Sequence, residues 1–448
     1  MPETAKSTGK SDDSNRHQRA QARWAILRNA LLHKARETAT TATSDGENFS
    51  IHRFGGYEFI KRQIVQDTQQ LRSNLKLLEV DPDDDSSSLE STVELIFLRL
   101  LALACLPSST RFSVQIIGGF TTEDRVRILT LLKEQCANIF EIKQLNDSFC
   151  LDVVQIRGPK STLYQCCRYA LDEKCSIVTR EPKQTHLSLQ DLVSHRTVKV
   201  DNTGNICVWD SEKTLSYFLY NENTFGSMVD KPENTTKILE LGTGMCGLSA
   251  LALGLRLAQQ QRTACDQKIQ VILTDGHADG VKNNKINQHL TKAYSHGCNY
   301  YDRLDITIKE LLWDTQLSES SSELAADICL VSDCTHFQNY HAALAITIAR
   351  SLRVGGRAIM CQPQRGGSLD NFLELISSLD DRIFEITKWD NPELENQHLK
   401  SAKDFEGTYD EQVHRPSILL LSKLRPLTQE DCTFLEQRQQ NRKSKDQK

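Results

Sequence analysis

Apolar and polar positions alternate most regularly in the second half of the chain. Seven strand-like runs stand out there: Lys237–Leu241, Ile269–Thr274, Leu304–Lys309, Asp327–Ser332, Gly356–Cys361, Ile383–Lys388 and Ser417–Lys423. The segments between the first five are long enough for helices, and such alternation predicts a doubly wound α/β sheet over residues 176–425. The earlier half is less regular. Val93–Leu106 is a dense apolar run broken by Glu94 and Arg99. It is too short to cross a bilayer, which needs roughly 20 residues, and reads as a buried helix. Phe112–Ile117 and Phe149–Ile156 read as strands around a helix over Thr122–Gln135. Residues 61–175 are therefore an α+β insertion, with no internal repeat and no chemical motif. Asp81-Pro-Asp-Asp-Asp-Ser-Ser-Ser88 marks a polar linker within it. A strand is expected at Ile51–Ile60. From Arg16 to Arg36 six basic residues occur without an acid, and Trp24, Leu27, Leu31 and Ala35 recur at helical spacing. Residues 1–15 and 426–448 read as polar tails, with disorder expected in the first and after Leu435 in the second.

Composition narrows the class. A chain of 448 residues with 39% hydrophobic content can bury a sizeable core. A net charge of -5 argues against a generally basic nucleic-acid surface. Fourteen cysteines are scattered with no C-x-x-C pair and no signal peptide, which suits reduced thiols in the cytoplasm, with the nucleus also open. No metal-ligand spacing is found, no membrane segment is expected, and the oligomeric state is not readable.

Chemistry gathers at the strand ends. Lys237-Ile-Leu-Glu-Leu-Gly-Thr-Gly-Met-Cys-Gly247 runs from a buried strand into a glycine-rich turn. Gly242, Thr243, Gly244 and Gly247 fit both a dinucleotide loop and the looser loop of S-adenosylmethionine enzymes, and a purely structural turn is the bland alternative. Asp275, followed by Gly276, can accept from both ribose hydroxyls of an adenosine in either cofactor, or can cap the next helix. Glu240 places a carboxylate near the ligand, which suits an ammonium and a sulfonium better than a pyrophosphate. Gly355-Gly356 forms the turn into the fifth strand, and too little chain follows for the substrate domain of a dehydrogenase. Trp313, after the third strand, can stack on adenine or serve as a core residue. Ser332 and Asp333 end the fourth strand, where Asp333 would orient an incoming amine or cap the next helix. The charged stretch Asp390–Arg415 shows no clear period; it is a candidate grip for a protein substrate or a variable surface loop.

These strand-end residues, with Asp201-Asn-Thr-Gly-Asn-Ile-Cys-Val-Trp209, resemble the seven-β-strand protein-lysine methyltransferases. The likeness also rests on Arg23-Trp-Ala-Ile-Leu-Arg28, Leu273-Thr-Asp-Gly276, Ser332-Asp-Cys334, Pro363-Gln-Arg-Gly-Gly367 and His414-Arg-Pro-Ser-Ile-Leu-Leu420. It implies a class I, Rossmann-like seven-stranded methyltransferase sheet with an N-terminal α+β extension. It also implies S-adenosyl-L-methionine as cofactor and methyl transfer to a lysine of calmodulin, as far as trimethyllysine. On this reading Asp333 orients the amine, His336 and Phe337 line the lysine channel, and Trp209 closes over the methionine part of the cofactor. The chain departs from the family pattern at His336, where an aromatic ring is usual, and residues 62–170 have no counterpart. A different acceptor, a catalytically silent scaffold and a nicotinamide enzyme are the rival readings.

Overall fold

The computed structural model describes residues 57, 59–80, 88–106, 111–146, 149–156, 164–182, 208–222, 235–260, 268–295, 300–315, 324–404 and 409–445. The described residues fall in one compact unit. The expected basic helix, the first tail, Asp201–Cys207 and most of the Ile51–Ile60 strand lie outside them. Tyr57, Phe59 and Ile60 are not in a strand.

The first half holds β1 (Arg62–Ile64), α1 (Gln69–Lys76), β2 (Leu77–Glu79), α2 (Leu89–Ala104), β3 (Arg111–Ile117), α3 (Thr122–Cys136), β4 (Phe140–Asn146), β5 (Cys150–Gln155), β6 (Tyr164–Ala170) and β7 (Ser176–Pro182). Helix α2 starts at Ser88, whose hydroxyl accepts the Ser91 N–H at 3.1 Å. Helix α3 starts with a reciprocal capping box between Thr121 and Asp124. Strands pair as β2-β3-β5-β4, and the alternation in β3 turns Phe112, Val114 and Ile116 inward under the two helices. A second, three-stranded sheet has the order β1-β6-β7, so β7 is its edge. The expected boundary at 175/176 falls inside this β6–β7 hairpin.

The second half runs α4 (Asp210–Asn221), β8 (Thr235–Leu241), α5 (Leu248–Gln260), β9 (Lys268–Asp275), α6 (Ala278–Tyr294), β10 (Leu304–Glu310), β11 (Ala326–Ser332), α7 (His341–Ser351), β12 (Leu352–Pro363), α8 (Ser368–Ser377), β13 (Phe384–Trp389), α9 (Pro392–Asp404), α10 (Glu411–His414), β14 (Pro416–Lys423) and α11 (Gln429–Lys445). All seven strand runs expected between residues 237 and 423 are present. The seven strands are ordered β10-β9-β8-β11-β12-β14-β13, with the first five parallel and β14 antiparallel to both neighbours. This is the class I methyltransferase sheet. Strand order reverses between β8 and β11, where ligands bind in open α/β sheets.

Both faces of the sheet are covered, so the central strands alternate between two apolar cores. Ile238, Val271, Leu273, Leu330 and Ile359 pack with α4 and α5. Leu239, Leu241, Val331, Met360 and Leu421 pack with α7 and α8.

Two segments differ from expectation. The polar tail folds as α11, where Cys432 and Leu435 are buried and Asp431 takes a bidentate ion pair from Arg425. So few apolar positions left no periodic signal. Asp390–Arg415 is largely helical rather than irregular. Its α9 buries Leu394, His398 and Ser401 at helical spacing, and two of the three are polar, which hid the period. The Tyr57 hydroxyl ties this segment down through His398 Nδ1 and the His414 carbonyl. Among the described residues no helix is long and apolar enough to cross a membrane.

Candidate active site

The turn after β8 is shaped by glycine backbone. Gly242 and Gly244 have φ of 68° and 55°, the left-handed region that other residues avoid. A Cβ on Gly242 would lie 2.9 Å from Cys334 Sγ and 3.2 Å from the Trp313 ring. The glycine therefore leaves a cradle between the loop, the chain after β10 and the chain after β11. Trp313 meets Phe337 edge-on at 6.1 Å between centroids, and Phe337 lies against His336 at 3.7 Å. Thus Gly242, Trp313, His336 and Phe337 form one wall.

Beneath the loop sit two carboxylates. Glu240 shares the face of β8 with Ile238 and so points at the start of α5, where it accepts the Ala250 N–H at 2.8 Å. Glu212 on α4 accepts the Leu248 N–H at 2.9 Å. Both cap bare N–H groups at a helix N-terminus, where negative charge is favoured. Burial pushes the Glu240 carboxyl up to about 8. Glu212 rises further out of the carboxylate range through burial and then repulsion from Glu240. Glu240, expected to lie near the ligand, is 1% exposed, with its carboxylate on the Ala250 N–H.

Asp275 ends β9 and reaches the loop directly. Its Oδ2 accepts the Gly244 N–H at 2.8 Å, and its Oδ1 accepts the His277 N–H at 2.8 Å. The N-cap of α6 is His277, so the capping role weighed as the alternative for Asp275 falls to another residue. Gly276 lies under Leu312, in the segment that carries Trp313. Thr243 donates its N–H to the Thr274 carbonyl at 3.0 Å, locking the loop to β9.

The opposite wall comes from β11 and β12. Asp333 stands in left-handed backbone with φ of 51°, and Arg365 does the same at 42°. Such strain in non-glycine residues costs about 1–3 kcal/mol each and points to a functional site. Here it brings the two side chains into a bidentate pair: Arg365 Nε donates to Asp333 Oδ1 at 2.7 Å while Nη2 donates to Oδ2. Arg365 also lies over the Trp209 ring at 5.2 Å. Its backbone N–H donates to the Gln412 carbonyl at 2.7 Å, fixing the turn against α10. His336 Nδ1 meets the Asp333 carbonyl at 2.8 Å. Behind them, Gln362 Oε1 accepts from the Thr335 N–H and hydroxyl, and Ser368 and His341 both bond the Thr335 carbonyl. Four motifs distant in sequence therefore meet here.

One polar group in this site lacks a protein partner. The Ser332 hydroxyl is buried at the end of β11 without a hydrogen bond, although buried hydroxyls are nearly always satisfied. That orphan hydroxyl, the bare backbone at Gly242 and the Asp275 carboxylate would suit an adenosyl ligand, which Ser332, Gly244 and Asp275 would hold. Sequence reasoning missed Arg365, Glu212 and three asparagines of α6. The Pro363-x-Arg-Gly turn was the available signal for Arg365. For the asparagines it was their crowding at 283, 284 and 287 inside a helix that gains nothing from them.

Residues 194–379 match the family model described as lysine methyltransferase. That segment, about two fifths of the chain, is similar to lysine methyltransferases. A calmodulin-lysine N-methyltransferase of Arabidopsis thaliana is 30% identical over 196 residues, which cover 43% of this chain and 56% of that protein. The match thus spans little more than half the length of that relative. Among solved structures, an rRNA methylase from Streptococcus thermophilus is 12% identical with a TM-score of 0.28, covering 46% of this chain and 97% of that one. An S-adenosylmethionine-dependent O-methyltransferase from Thermotoga maritima is 13% identical with a TM-score of 0.27, covering 67% and 83%. The match of residues 194–379 to that family model supports S-adenosyl-L-methionine as the cofactor.

Proposed function

We propose that the chain is a protein-lysine N-methyltransferase that methylates a lysine of calmodulin, as far as the trimethylated state. The observation that carries the chemistry is the Asp333–Arg365 pair facing the glycine loop across the switch point of the sheet. The bound cofactor supplies an electrophilic methyl group. The chain's own task is to aim a neutral amine at it, and alignment supplies much of the rate.

Asp333 suits that task because Arg365 neutralises it. A lone carboxylate beside a lysine favours the ammonium form, which has no lone pair for attack. Paired with a guanidinium, the same carboxylate keeps lone pairs free to accept an amine N–H without holding the extra proton. His336, Phe337 and Trp313 form the apolar wall that keeps water from the amine and lowers its pKa. Trp209 sits under Arg365 and fixes its height above the site. On the donor side Asp275, Gly244 and Ser332 hold the adenosine end, while Glu240 and Glu212 set the position of α5 beneath it.

Calmodulin as acceptor is supported by the motif resemblance and by the name of the matched relative. Purified protein incubated with labelled S-adenosylmethionine and calmodulin should label calmodulin alone. Labelling of a different protein in an extract lacking calmodulin, with none of calmodulin itself, would keep the methyltransferase and reject the acceptor.

A further inference from the structure

The N-terminal α+β region has no catalytic motif, yet it touches the glycine loop through only one layer of side chains. Strand β7 is the edge of its sheet, so one row of its backbone groups faces away from β6. Bare edges must be paired or covered. Among the described residues no further strand covers β7. Instead, α6 presents Asn283, Asn287 and Thr291, spaced four apart and hence on one helix face. The Thr291 hydroxyl donates to the Val178 carbonyl and accepts the Val178 N–H, both at 3.0 Å. Asn287 Oδ1 accepts the Arg180 N–H at 2.7 Å, and Asn283 Nδ2 donates to the Arg180 carbonyl at 3.0 Å. Arg180 Nη1 adds a bond to Asn283 Oδ1 at 3.2 Å.

The same two asparagines reach the loop on their other side. Asn283 Nδ2 and Asn287 Nδ2 both donate to the Met245 carbonyl, each at 2.8 Å. Next to them, Asn284 accepts the Gly247 N–H at 2.9 Å and donates to Thr243 Oγ1 at 3.1 Å and the Gly244 carbonyl at 3.2 Å. An asparagine amide can flip end for end. Arg180 fixes which end faces which neighbour, because its N–H and guanidinium demand the oxygens and so leave the nitrogens for Met245. Thr291 grips the same strand but makes no bond to the loop.

We infer that β7 is a positioning element for the cofactor loop: through Arg180 it orients Asn283 and Asn287, which hold Met245 and with it the left-handed turn at Gly244. The extension thereby sets donor affinity without touching the donor. This rests on the reading that the glycine loop holds S-adenosylmethionine. All three α6 residues serve stability, but only the two asparagines serve the loop.

The test compares full-length variants by calorimetric titration with S-adenosylmethionine, by steady-state kinetics and by melting. Asn283→Leu and Asn287→Leu should each raise the donor Kd about three- to tenfold, the loss of one or two buried amide bonds. KM for the donor should rise with it, while kcat at saturating donor falls by less. Arg180→Leu, which removes the guanidinium bond to Asn283 and keeps the backbone N–H on Asn287, should raise Kd about two- to threefold although it leaves both asparagines in place. Thr291→Val should lower the melting temperature and leave Kd unchanged. Should either leucine variant fail to fold, the corresponding serine variant, too short to span both partners, takes its place. Wild-type Kd in folded Asn and Arg180 variants overturns the inference alone. Equal loss of affinity in Thr291→Val also overturns it, because the effect would then follow stability. A wild-type protein that binds no S-adenosylmethionine overturns the cofactor reading beneath it.

Discussion

The two walls of the site are built from opposite materials. The loop wall is held by neutral amides and backbone: Asn283, Asn284 and Asn287 saturate it, and glycines carry its unusual angles at no steric cost. The β11–β12 wall is held by charge and strain, with Asp333 and Arg365 both forced into left-handed backbone to make one ion pair. A cofactor that must bind the same way each cycle is served by the first construction. An acceptor whose protonation matters is served by the second, since a paired carboxylate can accept an amine N–H without favouring the ammonium form.

Four substitutions break or sharpen this contrast, in falling order of effect. Gly242→Ala attacks the loop wall where it has least room. The new Cβ meets Cys334 Sγ at 2.9 Å in backbone that alanine avoids. Strain and overpacking together should cost about 2–6 kcal/mol, seen as a lower melting temperature and a collapse of donor binding in titration.

Arg365→Gln keeps a hydrogen-bond donor near Asp333 and removes the charge. The freed carboxylate should favour the ammonium form of the acceptor, so the pH–rate profile moves to higher pH by about one unit and the rate near pH 7 falls about tenfold. Donor affinity should stay at the wild-type value. If titration shows donor binding lost in parallel, Arg365 belongs to the cofactor wall instead.

Glu240→Gln probes the layer beneath the loop. The carboxyl of Glu240 is raised to about 8 in the folded chain, above an unfolded value of about 4.3. Between those values the native state holds a proton that the unfolded chain has released. The contribution of Glu240 to stability is therefore fully present below about pH 4 and declines as pH rises, until it is lost above about 8. Melting temperatures measured across that window should fall with pH in the wild type and fall less steeply in the Gln variant, whose amide oxygen still accepts the Ala250 N–H.

His336→Phe is the mildest change. It swaps one flat ring for another against Phe337, and activity on calmodulin should remain within about threefold, or about 0.7 kcal/mol. A loss much beyond that would mean that the imidazole bond to the Asp333 carbonyl shapes the turn.

What could be read without coordinates follows from which interactions are local. The seven strands and their order in the chain were legible because buried strands are short apolar runs between breakers. The glycine loop, Asp275 and Asp333 were legible because each must follow a strand directly. Helix α9 was not, because its buried positions include His398 and Ser401, whose burial depends on Tyr57, more than 340 residues away. Arg365 was visible as part of a turn, but its partner was not, because 32 residues separate it from Asp333.

The sequence by itself therefore determined the α/β alternation, the position of the cofactor loop and the residue types at each strand end. These are consequences of periodicity and of backbone freedom, which act within a few residues. Only the tertiary structure decided that Glu240 bonds the start of α5, because that depends on which face of β8 meets the helix. It alone decided that Asp333 is neutralised by Arg365, and that an edge strand of the extension and the cofactor loop share the same two asparagines. Hydrogen bonds and ion pairs of this kind join groups far apart along the chain, and their partners exist only once the sheets have packed.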